Sequence, residues 1–473
     1  MSCLNPVARS ANALPSSVLA ISAPGVYRQP RQSRWVGRCG QSDGTDGATG
    51  AGSGGSRVGT FGMGTIMKFD QLKTTQGIDV AGKRVLVRVD FNVPMKDGAV
   101  TDITRLQRGS AAIRDLAGRG AKVIILSHLG RPKGAPNPEF SMKPVADKMA
   151  DVLGQPVRFV PECIGEVAEA ASRDLAPGEV AMFENLRFHK EEEKDDPVFA
   201  AALARCGDLF VGEAFSCAHR AHASVHAITR LLPSYAGPLM NQEILALRAA
   251  LEEPRRPTAA VVGGSKVSTK IPVLTNLVAK VDKLIIGGGM ANTFLAAQGI
   301  NIGKSLCEHD LTGTAREILE SAKEKGCEIV LPVDAVVARE FKEGAATEVV
   351  GVDAVPADAM ILDVGPASVA RLSEVIGGCR TVLWNGPLGA FEIAPFGKGT
   401  FALAEEAARL TRSGQLISVA GGGDTVAALN AAGVADKFTY VSTAGGAFLE
   451  WLEGRELPGV IALIEAGQMK RVA

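Results

Sequence analysis

The chain has 473 residues, of which 46% are apolar and 22% are charged, and its 51 basic residues equal its 51 acidic residues. Its length suggests about two to three domains. Its neutral balance argues against binding to nucleic acid or to a membrane surface, which usually requires a basic excess. No run approaches the roughly 18 consecutive apolar residues of a membrane span. These features favour a soluble multidomain enzyme.

The first 66 residues differ in composition from the rest of the chain. They contain six arginines, nine serines and twelve glycines but no lysine, and Asp43 and Asp46 are their acidic residues. Such a segment buries too little apolar surface to fold, so we expect it to be disordered. It is either a transit peptide, which would direct the protein to an organelle, or an over-extended reading frame, since Met63 and Met67 offer later starts.

The eight cysteines are scattered, with no C-x-x-C pair and no spacing typical of a zinc site. In a long chain this scatter indicates reduced thiols in a cytosol-like compartment. We therefore expect a cytoplasmic protein with neither a disulfide framework nor a structural zinc site.

From residue 67 onward, short β-rich runs alternate with helical patterns, which is typical of parallel sheets covered by helices on both faces. In the first half the predicted strands are Arg84–Phe91, Lys122–His128, Pro156–Val160, Glu179–Asn185 and Asp208–Phe215. The helical patterns between them include Thr101–Gly118, Lys143–Leu153 and Pro197–Cys206. This pattern predicts one α/β domain over residues 67–237.

A helical pattern over Pro238–Leu251 is followed by Pro254–Pro257, the clearest boundary in the chain. After this linker, residues 238–257, strands alternate with helices again. The predicted strands are Thr258–Gly264, Lys283–Gly287, Glu328–Val333, Met360–Val364, Thr381–Asn385, Gln415–Ala420 and Phe438–Ser442. The sequence therefore predicts an α/β fold of two doubly wound, Rossmann-like domains, the second over residues 258–440, joined by a helix with a cleft between them.

Three motifs with arginine and histidine follow predicted strands of the first half. They are Ser127–Pro132 (SHLGRP), Glu184–His189 (ENLRFH) and Ala218–Ser224 (AHRAHAS). Because open α/β sheets bind ligands at the carboxyl ends of their strands, we expect Arg131, Arg187 and Arg220 to converge there. A guanidinium group binds carboxylate and phosphate oxygens in pairs, so convergence indicates a small phosphorylated anion. The alternative is three unrelated surface arginines.

Polar residues also follow the first predicted strand. Asp90 and Asn92 suit recognition of hydroxyl and carboxylate groups, although Asp and Asn before a proline are also ordinary turn residues. Arg105 lies at the start of the next helix, where a positive charge opposes the helix dipole. This unfavourable position suggests that Arg105 has another role.

Glycine-rich loops follow predicted strands of the second half. Gly421, Gly422 and Gly423 precede Asp424 and Thr425 at the start of a helix, which lets backbone N–H groups approach a phosphate chain. Asp424 is a candidate ligand of Mg²⁺. Asp and Thr are also common helix caps, so a simple capped turn is the alternative.

Two lysines, Lys266 and Lys270, follow another predicted strand of this half. Their spacing of four predicts ammonium groups on one helix face, where they can hold nucleotide phosphates. A third loop of this kind is Trp384–Glu392. No true P-loop is present, since Gly77–Lys83 is followed by arginine and the glycines of Gly299–Ser305 are too close together. The sequence therefore argues against a P-loop kinase.

Seven motifs occur in the order found in phosphoglycerate kinases, and the chain resembles this family, in its bacterial form, over about residues 67–473. The motifs are RVDFNVP, SHLGRP, ENLRFH, AHRAHAS, GGSKVSTK, WNGPLGAFE and GGGDT. The resemblance implies reversible phosphoryl transfer from 1,3-bisphosphoglycerate to Mg-ADP, giving 3-phosphoglycerate and ATP. It also implies small-molecule partners, a monomer, and a segment 441–473 that returns to the N-terminal domain.

The same resemblance implies the site residues. The implied 3-phosphoglycerate site comprises Asp90, Asn92, Arg105, His128, Arg131, Arg187 and Arg220. The implied nucleotide site comprises Lys266, Lys270, Asn385, Glu392, Gly421, Gly422, Gly423, Asp424 and Thr425. Glu392 is expected on the ribose and Asp424 on Mg²⁺. Arg105, Lys266 and Lys270 are expected to be catalytic, with Arg105 and Lys270 on either side of the transferring group.

Several positions depart from the usual wording of the family, namely Gly212-Glu213, Ser216-Cys217, Gln242, Ala444 and Phe448. None of them is an implied site residue, so they bear on the hinge and the interfaces rather than on the reaction. Two other classes of protein are alternatives. A nicotinamide dehydrogenase would need a G-x-G-x-x-G motif after a strand, and a non-catalytic nucleotide-binding scaffold would be expected to lack Arg105 or Lys270.

Overall fold

The computed structural model describes residues 69–468, so the disorder expected for residues 1–66 lies outside the described residues. Within the described part, no helix is long and apolar enough to cross a membrane. Two parallel sheets of six strands each dominate the architecture, one in each half of the chain.

The first sheet has the strand order β5-β6-β4-β1-β7-β8, with all neighbours parallel. The strands of this half are β1 (Arg84–Arg88), β2 (Met95–Lys96), β3 (Ala99–Val100), β4 (Lys122–Leu126), β5 (Val157–Val160), β6 (Val180–Phe183), β7 (Leu209–Gly212) and β8 (Ser234–Ala236). Its helices are α1 (Thr104–Gly118), α2 (Lys143–Leu153), α3 (Gly165–Asp174) and α4 (Pro197–Ala204), followed by α5 (Pro238–Leu247). Strands β2 and β3 form a short separate hairpin.

The second sheet has the order β11-β10-β9-β15-β16-β17 and is also parallel. The strands of this half are β9 (Thr258–Val262), β10 (Lys283–Ile286), β11 (Glu328–Val330), β12 (Asp334–Ala338), β13 (Thr347–Gly351), β14 (Met360–Val364), β15 (Thr381–Asn385), β16 (Ile417–Gly421) and β17 (Tyr440–Ser442). The helices are α6 (Ile271–Leu277), α7 (Gly288–Ala297), α8 (Thr312–Glu324), α9 (Pro366–Gly377), α10 (Lys398–Arg412), α11 (Gly423–Ala431), α12 (Gly445–Leu452) and α13 (Pro458–Gln468).

In each sheet the first strand along the chain is an interior strand, with later strands on both sides of it. Strand β1 lies between β4 and β7, and strand β9 lies between β10 and β15. Strands β6, β9 and β15 are buried along their whole length, as expected where helices cover both faces. In such doubly wound sheets, ligands bind beyond the carboxyl ends of the strands where the order reverses. The fold therefore offers one such crevice in each half.

The prediction of parallel sheets is confirmed for both halves, but Met360–Val364 is not part of one. It is β14, an edge strand of a separate antiparallel sheet with the order β13-β12-β14. A short apolar run does not reveal the direction of its neighbours, so the sequence could not separate this sheet from the parallel one. Strands β2, β3, β8, β12 and β13 were not predicted. The helix predicted over Pro238–Leu251 ends at Leu247 and continues as a π-helical turn, Arg248–Glu252.

The C-terminal segment contacts both halves. The Nδ2 group of Asn276 donates to the carbonyl oxygen of Leu452 at 2.8 Å. On the other side, the amide of Gly459 donates to the carbonyl oxygen of Ala218 at 2.9 Å, and Trp451 stacks on Phe69 with 5.6 Å between ring centroids. Helices α12 and α13 thus pack on elements of both halves, while the domain limits stay a prediction.

Candidate active site

A cavity of about 650 Å³ lies beyond the carboxyl ends of the first sheet. The three arginines of the sequence motifs, Arg131, Arg187 and Arg220, all line it. So do the other residues assigned to a glycerate ligand, namely Asp90, Asn92, Arg105 and His128. The wall also contains residues that the sequence analysis did not assign to the ligand: Glu193, Ser216, Cys217, His219, His222, Thr443, Gly445 and Gly446. The predicted set is therefore gathered at one place.

Asp90 and Arg105 form an ion pair at the edge of this cavity. The guanidinium NH1 of Arg105 donates to Asp90 Oδ2 at 2.5 Å, and the hydroxyl of Ser216 donates to the same oxygen. Burial alone would raise the pKa of Asp90, but the neighbouring positive charge and these hydrogen bonds outweigh it and hold that pKa below its usual range. The carboxylate of Asp90 thus offsets the unfavourable position of Arg105 at the start of α1.

His128 is buried and is held by Arg88, which the sequence did not single out. The NH2 group of Arg88 lies 3.1 Å from His128 Nδ1. A guanidinium group can only donate, so Nδ1 accepts and the imidazole proton lies on Nε2. Burial, reinforced by the charge of Arg88, lowers the pKa of His128 well below its usual value. His128 is therefore a neutral hydrogen-bond donor.

A chain of hydrogen bonds links Arg88 to the buried acid Glu192. Arg88 Nε donates to Ser224 Oγ at 2.8 Å, and that hydroxyl donates to Glu192 Oε1 at 2.5 Å. Arg88 and Glu192 are both fully buried. The signal available in the sequence was an arginine between Val87 and Val89 in a predicted strand, because a buried charge needs a partner.

Arg187 and Asn92 are both tied to the loop that carries Arg131. The Oδ1 atom of Asn92 accepts from the amide of Gly130 at 2.8 Å, and Arg187 NH1 donates to the carbonyl oxygen of Gly130 at 3.0 Å. Arg187 Nε also lies 3.2 Å from a carboxylate oxygen of Glu193. The loops after β1, β4 and β6 therefore hold one another in position.

A second cavity, of about 520 Å³, lies beyond the carboxyl ends of the second sheet. Of the predicted nucleotide residues, Glu392 and Asp424 line it. Its apolar wall includes Leu306, Phe341 and Leu388. Lys266, Lys270, Asn385, Gly421, Gly422, Gly423 and Thr425 are not among the residues that line it.

Most of these other residues form a hydrogen-bonded network around Asn385. The ammonium group of Lys270 donates to Asn385 Oδ1, and Asn385 Nδ2 donates to the carbonyl oxygen of Gly421 at 2.8 Å. The hydroxyl of Thr425 accepts from the amide of Gly386 at 2.7 Å. The network joins the loops that follow β9, β15 and β16.

The expectation that Lys266 and Lys270 share a helix face is wrong. Helix α6 begins at Ile271 with Pro272 in its first turn, and both lysines lie in the non-helical segment before it. Proline fits the first turn of a helix but breaks its interior, so the helix cannot extend back to Lys266. Lys266 is exposed and Lys270 is half-buried. Burial lowers the pKa of Lys270, and the charge of Asp424 opposes this shift.

Glycine is required where the second-half loops meet. Gly422 has φ 99°, and a Cβ there would lie 2.6 Å from Asn385 Nδ2. Gly386 has φ 106°, and a Cβ there would lie 2.2 Å from the carbonyl oxygen of Gly263. Left-handed backbone without a side chain lets these loops pack closely. Helix α11 then starts at Gly423 with Asp424 in its first turn.

Proteins similar to this chain are phosphoglycerate kinases. The phosphoglycerate kinase family model matches residues 75–455. A phosphoglycerate kinase of Sinorhizobium medicae is 63% identical over 382 residues, which is 81% of this chain and 96% of the relative. One of Methylorubrum extorquens is 62% identical over 386 residues, which is 82% of this chain and 96% of the relative.

Solved structures give the same result. The phosphoglycerate kinase of Coxiella burnetii superposes with a TM-score of 0.79 at 43% identity, covering 84% of this chain and all of that one (100%). The enzyme of Pyrococcus horikoshii superposes with a TM-score of 0.70 at 30% identity, covering 84% of this chain and 99% of the other. The chain therefore belongs to the phosphoglycerate kinase family.

Proposed function

We propose that the chain transfers a phosphoryl group reversibly between 1,3-bisphosphoglycerate and Mg-ADP, giving 3-phosphoglycerate and ATP. Its family and its curated relatives support this reaction and make it a phosphotransferase with a carboxyl group as acceptor. The observation that carries the proposal is the meeting of seven predicted residues, four of them arginines, in one cavity of the first half.

The glycerate ligand is assigned to that cavity because the arginines that line it carry positive charge. Arg131, Arg187 and Arg220 supply planar, permanently charged donors, which suit phosphate and carboxylate oxygens. Burial and the neighbouring arginines lower the pKa of His222 to about 3, so this histidine adds a neutral group rather than a further charge. Asp90 and Asn92 line the same cavity and supply oxygen atoms that can accept from a hydroxyl group of the ligand.

The nucleotide is assigned to the second half. The cavity with Leu306 and Phe341 in its wall suits a flat apolar base, and Glu392 is the acceptor expected for the ribose hydroxyls. The network of Lys270 and Asn385 and the start of α11 are expected to face the phosphates, because an ammonium group and a helix N-terminus both favour negative charge.

The residues present also suit Mg²⁺. Asp424 brings one carboxylate to the wall of the second cavity from the first turn of α11. One or two carboxylates together with phosphate oxygens and water are the usual ligands of Mg²⁺ in kinases. When bound with the nucleotide, the ion neutralises charge on the phosphate oxygens. Asp424 is the residue proposed to hold it.

The transfer itself needs positioning and charge rather than a protein nucleophile. Arg105 is assigned to the transferring group from the glycerate side, with Asp90 orienting its guanidinium. Lys270 is assigned to the nucleotide side, and both would stabilise charge on the equatorial oxygens. In the ATP-forming direction the attacking oxygen belongs to ADP, so no general base is required. Closure of the two halves would align the substrates and exclude water.

The scaffold alternative is not favoured, because Arg105 and Lys270 are both present in a chain of this family. The monomeric state, the cytoplasmic location and the lack of binding to nucleic acid or membranes stay predictions.

Two variants and calorimetric titration test the assignment of ligands to cavities. Arg131→Ala is expected to weaken 3-phosphoglycerate binding while leaving ADP binding near the wild-type value, and Glu392→Ala is expected to do the reverse. Arg173→Ala is the control, since this exposed arginine pairs with Glu169 on the surface. Loss of both affinities in either variant, with the fold intact, would contradict the assignment.

A further inference from the structure

A group of ligand-bearing side chains lies in the first half, outside both cavities. It consists of Glu162, Cys163 and His189, and one potential ligand atom from each lies within 4.8 Å of the other two. His189 Nε2 is 2.8 Å from Glu162 Oε1. The amide of Cys163 donates to the same carboxylate oxygen at 2.7 Å. The three side chains are thus already gathered without a metal ion.

We propose that Glu162, Cys163 and His189 form a binding site for a divalent metal ion, with Zn²⁺ the best match. Thiolate sulfur, imidazole nitrogen and carboxylate oxygen are the ligand types that Zn²⁺ combines, usually in tetrahedral geometry with water completing a three-ligand site. A thiolate and a carboxylate together balance the two charges of the ion. Hard cations such as Mg²⁺ prefer all-oxygen sites and fit this set poorly.

The fold explains why the sequence spacing did not predict such a site. Glu162 and Cys163 follow β5, whereas His189 follows the 3₁₀ turn Leu186–Phe188 after β6. Strands β5 and β6 are parallel neighbours, so the segments after them emerge at the same edge of the sheet. Because the three residues lie in two separate loops, they form no short sequence motif. The pairing of β5 with β6 is what brings these loops together.

The burial of the three side chains leaves a route for an ion. Cys163 is 1% exposed, whereas the side chains of Glu162 and His189 are 41% and 25% exposed. The sulfur therefore lies at the closed end of the group, and the oxygen and nitrogen lie at its open end, where water can supply the fourth ligand. The ring of His189 packs against Phe199 with 5.2 Å between centroids, which restricts its orientation.

Loading the site releases one proton and changes the tautomer of His189. The Cys163 thiol, whose pKa is raised by burial, releases its proton to solvent when sulfur binds the ion. His189 loses the Nε2 proton that it donates to Glu162 and takes up one on Nδ1 by exchange with solvent, so that Nε2 offers its lone pair and the ring stays neutral. The hydrogen bond from His189 lowers the pKa of Glu162, so this ligand is already ionised.

A second group with similar ligands serves as an internal comparison. Asp90, His128 and Cys217 also lie within 4.8 Å of one another. Arg88 occupies His128 Nδ1, and four arginines line the surrounding cavity, so a cation is disfavoured there by charge. Cys217 is therefore a matched control for Cys163, since it is another buried thiol beside a histidine and a carboxylate.

The test is titration of the full, reduced chain with Co²⁺, followed by displacement with Zn²⁺. The wild type is expected to give the near-ultraviolet charge-transfer band of thiolate-bound Co²⁺, lost when one equivalent of Zn²⁺ is added. Cys163→Ser should abolish the band, and Cys217→Ser should keep it. His189→Gln should weaken Zn²⁺ binding by about 10-fold or more, as expected for loss of a group that fixes the metal.

Three results would overturn the proposal. They are no band in the folded wild type, a band that survives in Cys163→Ser, or a band that disappears in Cys217→Ser. If Cys163→Ser does not fold, His189→Gln decides the matter, because this side chain lies at the open end of the group. Unchanged Zn²⁺ affinity in that variant would then contradict the site.

Discussion

At the scale of single residues, arginine supplies the fixed charge of the first cavity and histidine supplies neutral donors. Burial lowers the pKa of both His128 and His222, to about 3 for His222, so neither gains a proton near neutral pH. The positive charge offered to an anion therefore comes from the guanidinium groups that line the cavity, whose charge does not change with pH.

Arg105 is the residue on which the proposed transfer depends most. Arg105→Ala is expected to cut turnover by about 100-fold or more, equivalent to roughly 3 kcal/mol of transition-state stabilisation, because it removes a charged donor aimed at the transferring group. ADP binding should stay near the wild-type value. Steady-state kinetics and calorimetric titration of ADP measure the two effects, with Arg173→Ala as the control. Unchanged turnover would refute the role of Arg105.

Residue identities could be predicted where a polar group follows an apolar strand, as at Asp90, His128 and Asn385. Residues that act through tertiary contacts could not. Arg88 contacts His128 from a neighbouring strand. Its other partner, Ser224, lies 136 positions away from Arg88 in the sequence. No local pattern encodes such pairs, because strand order decides which residues meet.

At the scale of elements, helix α5 is held at its start by Glu213, one of the positions that depart from the family wording. The carboxylate of Glu213 accepts from the amide of Leu239 at 3.1 Å and from that of Met240 at 3.3 Å. A Cβ at Gly237 would lie 2.0 Å from Glu213 Oε2, so glycine is needed beside it. Burial raises the pKa of Glu213 to about 8 in spite of these hydrogen bonds.

This raised pKa predicts a pH-dependent stability. In the unfolded chain Glu213 ionises near its ordinary pKa of 4.5, whereas the folded protein keeps the proton until about pH 8. The folded state binds more protons across this window, so its stability falls as the pH rises through it. Glu213→Gln should remove this loss, on the order of 5 kcal/mol between the two pKa values.

Urea unfolding of the wild type and of Glu213→Gln, on both sides of the window, measures the difference. Glu340→Gln is the matched control, since Glu340 is a 63% exposed carboxylate paired with Lys342. Equal loss of stability with pH in the wild type and in Glu213→Gln would contradict the raised pKa.

The elements themselves were largely predictable. Helix α2 and strands β14 and β15 have the predicted bounds. The other predicted strands are shorter by one to a few residues at their ends, except that β16 ends one residue later than predicted, at Gly421. The start of α6 and the partners of β14 were not predicted. Pro272 sets the start of α6, and the spacing of the two lysines gave no indication of it. The partners of β14 depend on pairing between segments that are distant in the sequence.

At the scale of the whole molecule, the C-terminal segment contacts both halves and also forms part of the wall of the first cavity. Arg108 NH1 on α1 donates to Thr443 Oγ1 at 2.8 Å. Thr443, Gly445 and Gly446 line the cavity that also contains Arg105. Movement of this segment would therefore alter the wall of the first cavity, as the proposed closure around two bound substrates requires.

The residues before Met67 are expected to be dispensable for the reaction. Among residues 69–468, those that line the two cavities all lie at or after Asp90, so a chain that begins at Met67 is expected to retain the proposed chemistry. Its turnover should match that of the full chain, measured side by side with equal active-site concentrations. A large fall in turnover of a folded shortened chain would show that the first residues take part.

The central claim is the reaction itself. Its most direct test is ATP formation by the purified full chain from 1,3-bisphosphoglycerate and Mg-ADP, with Arg105→Ala measured in parallel. We predict robust turnover by the wild type, with formation of 3-phosphoglycerate in equal amount, and its near loss in the variant. A folded wild-type chain that binds nucleotide but forms no ATP would contradict the account and restore the scaffold alternative.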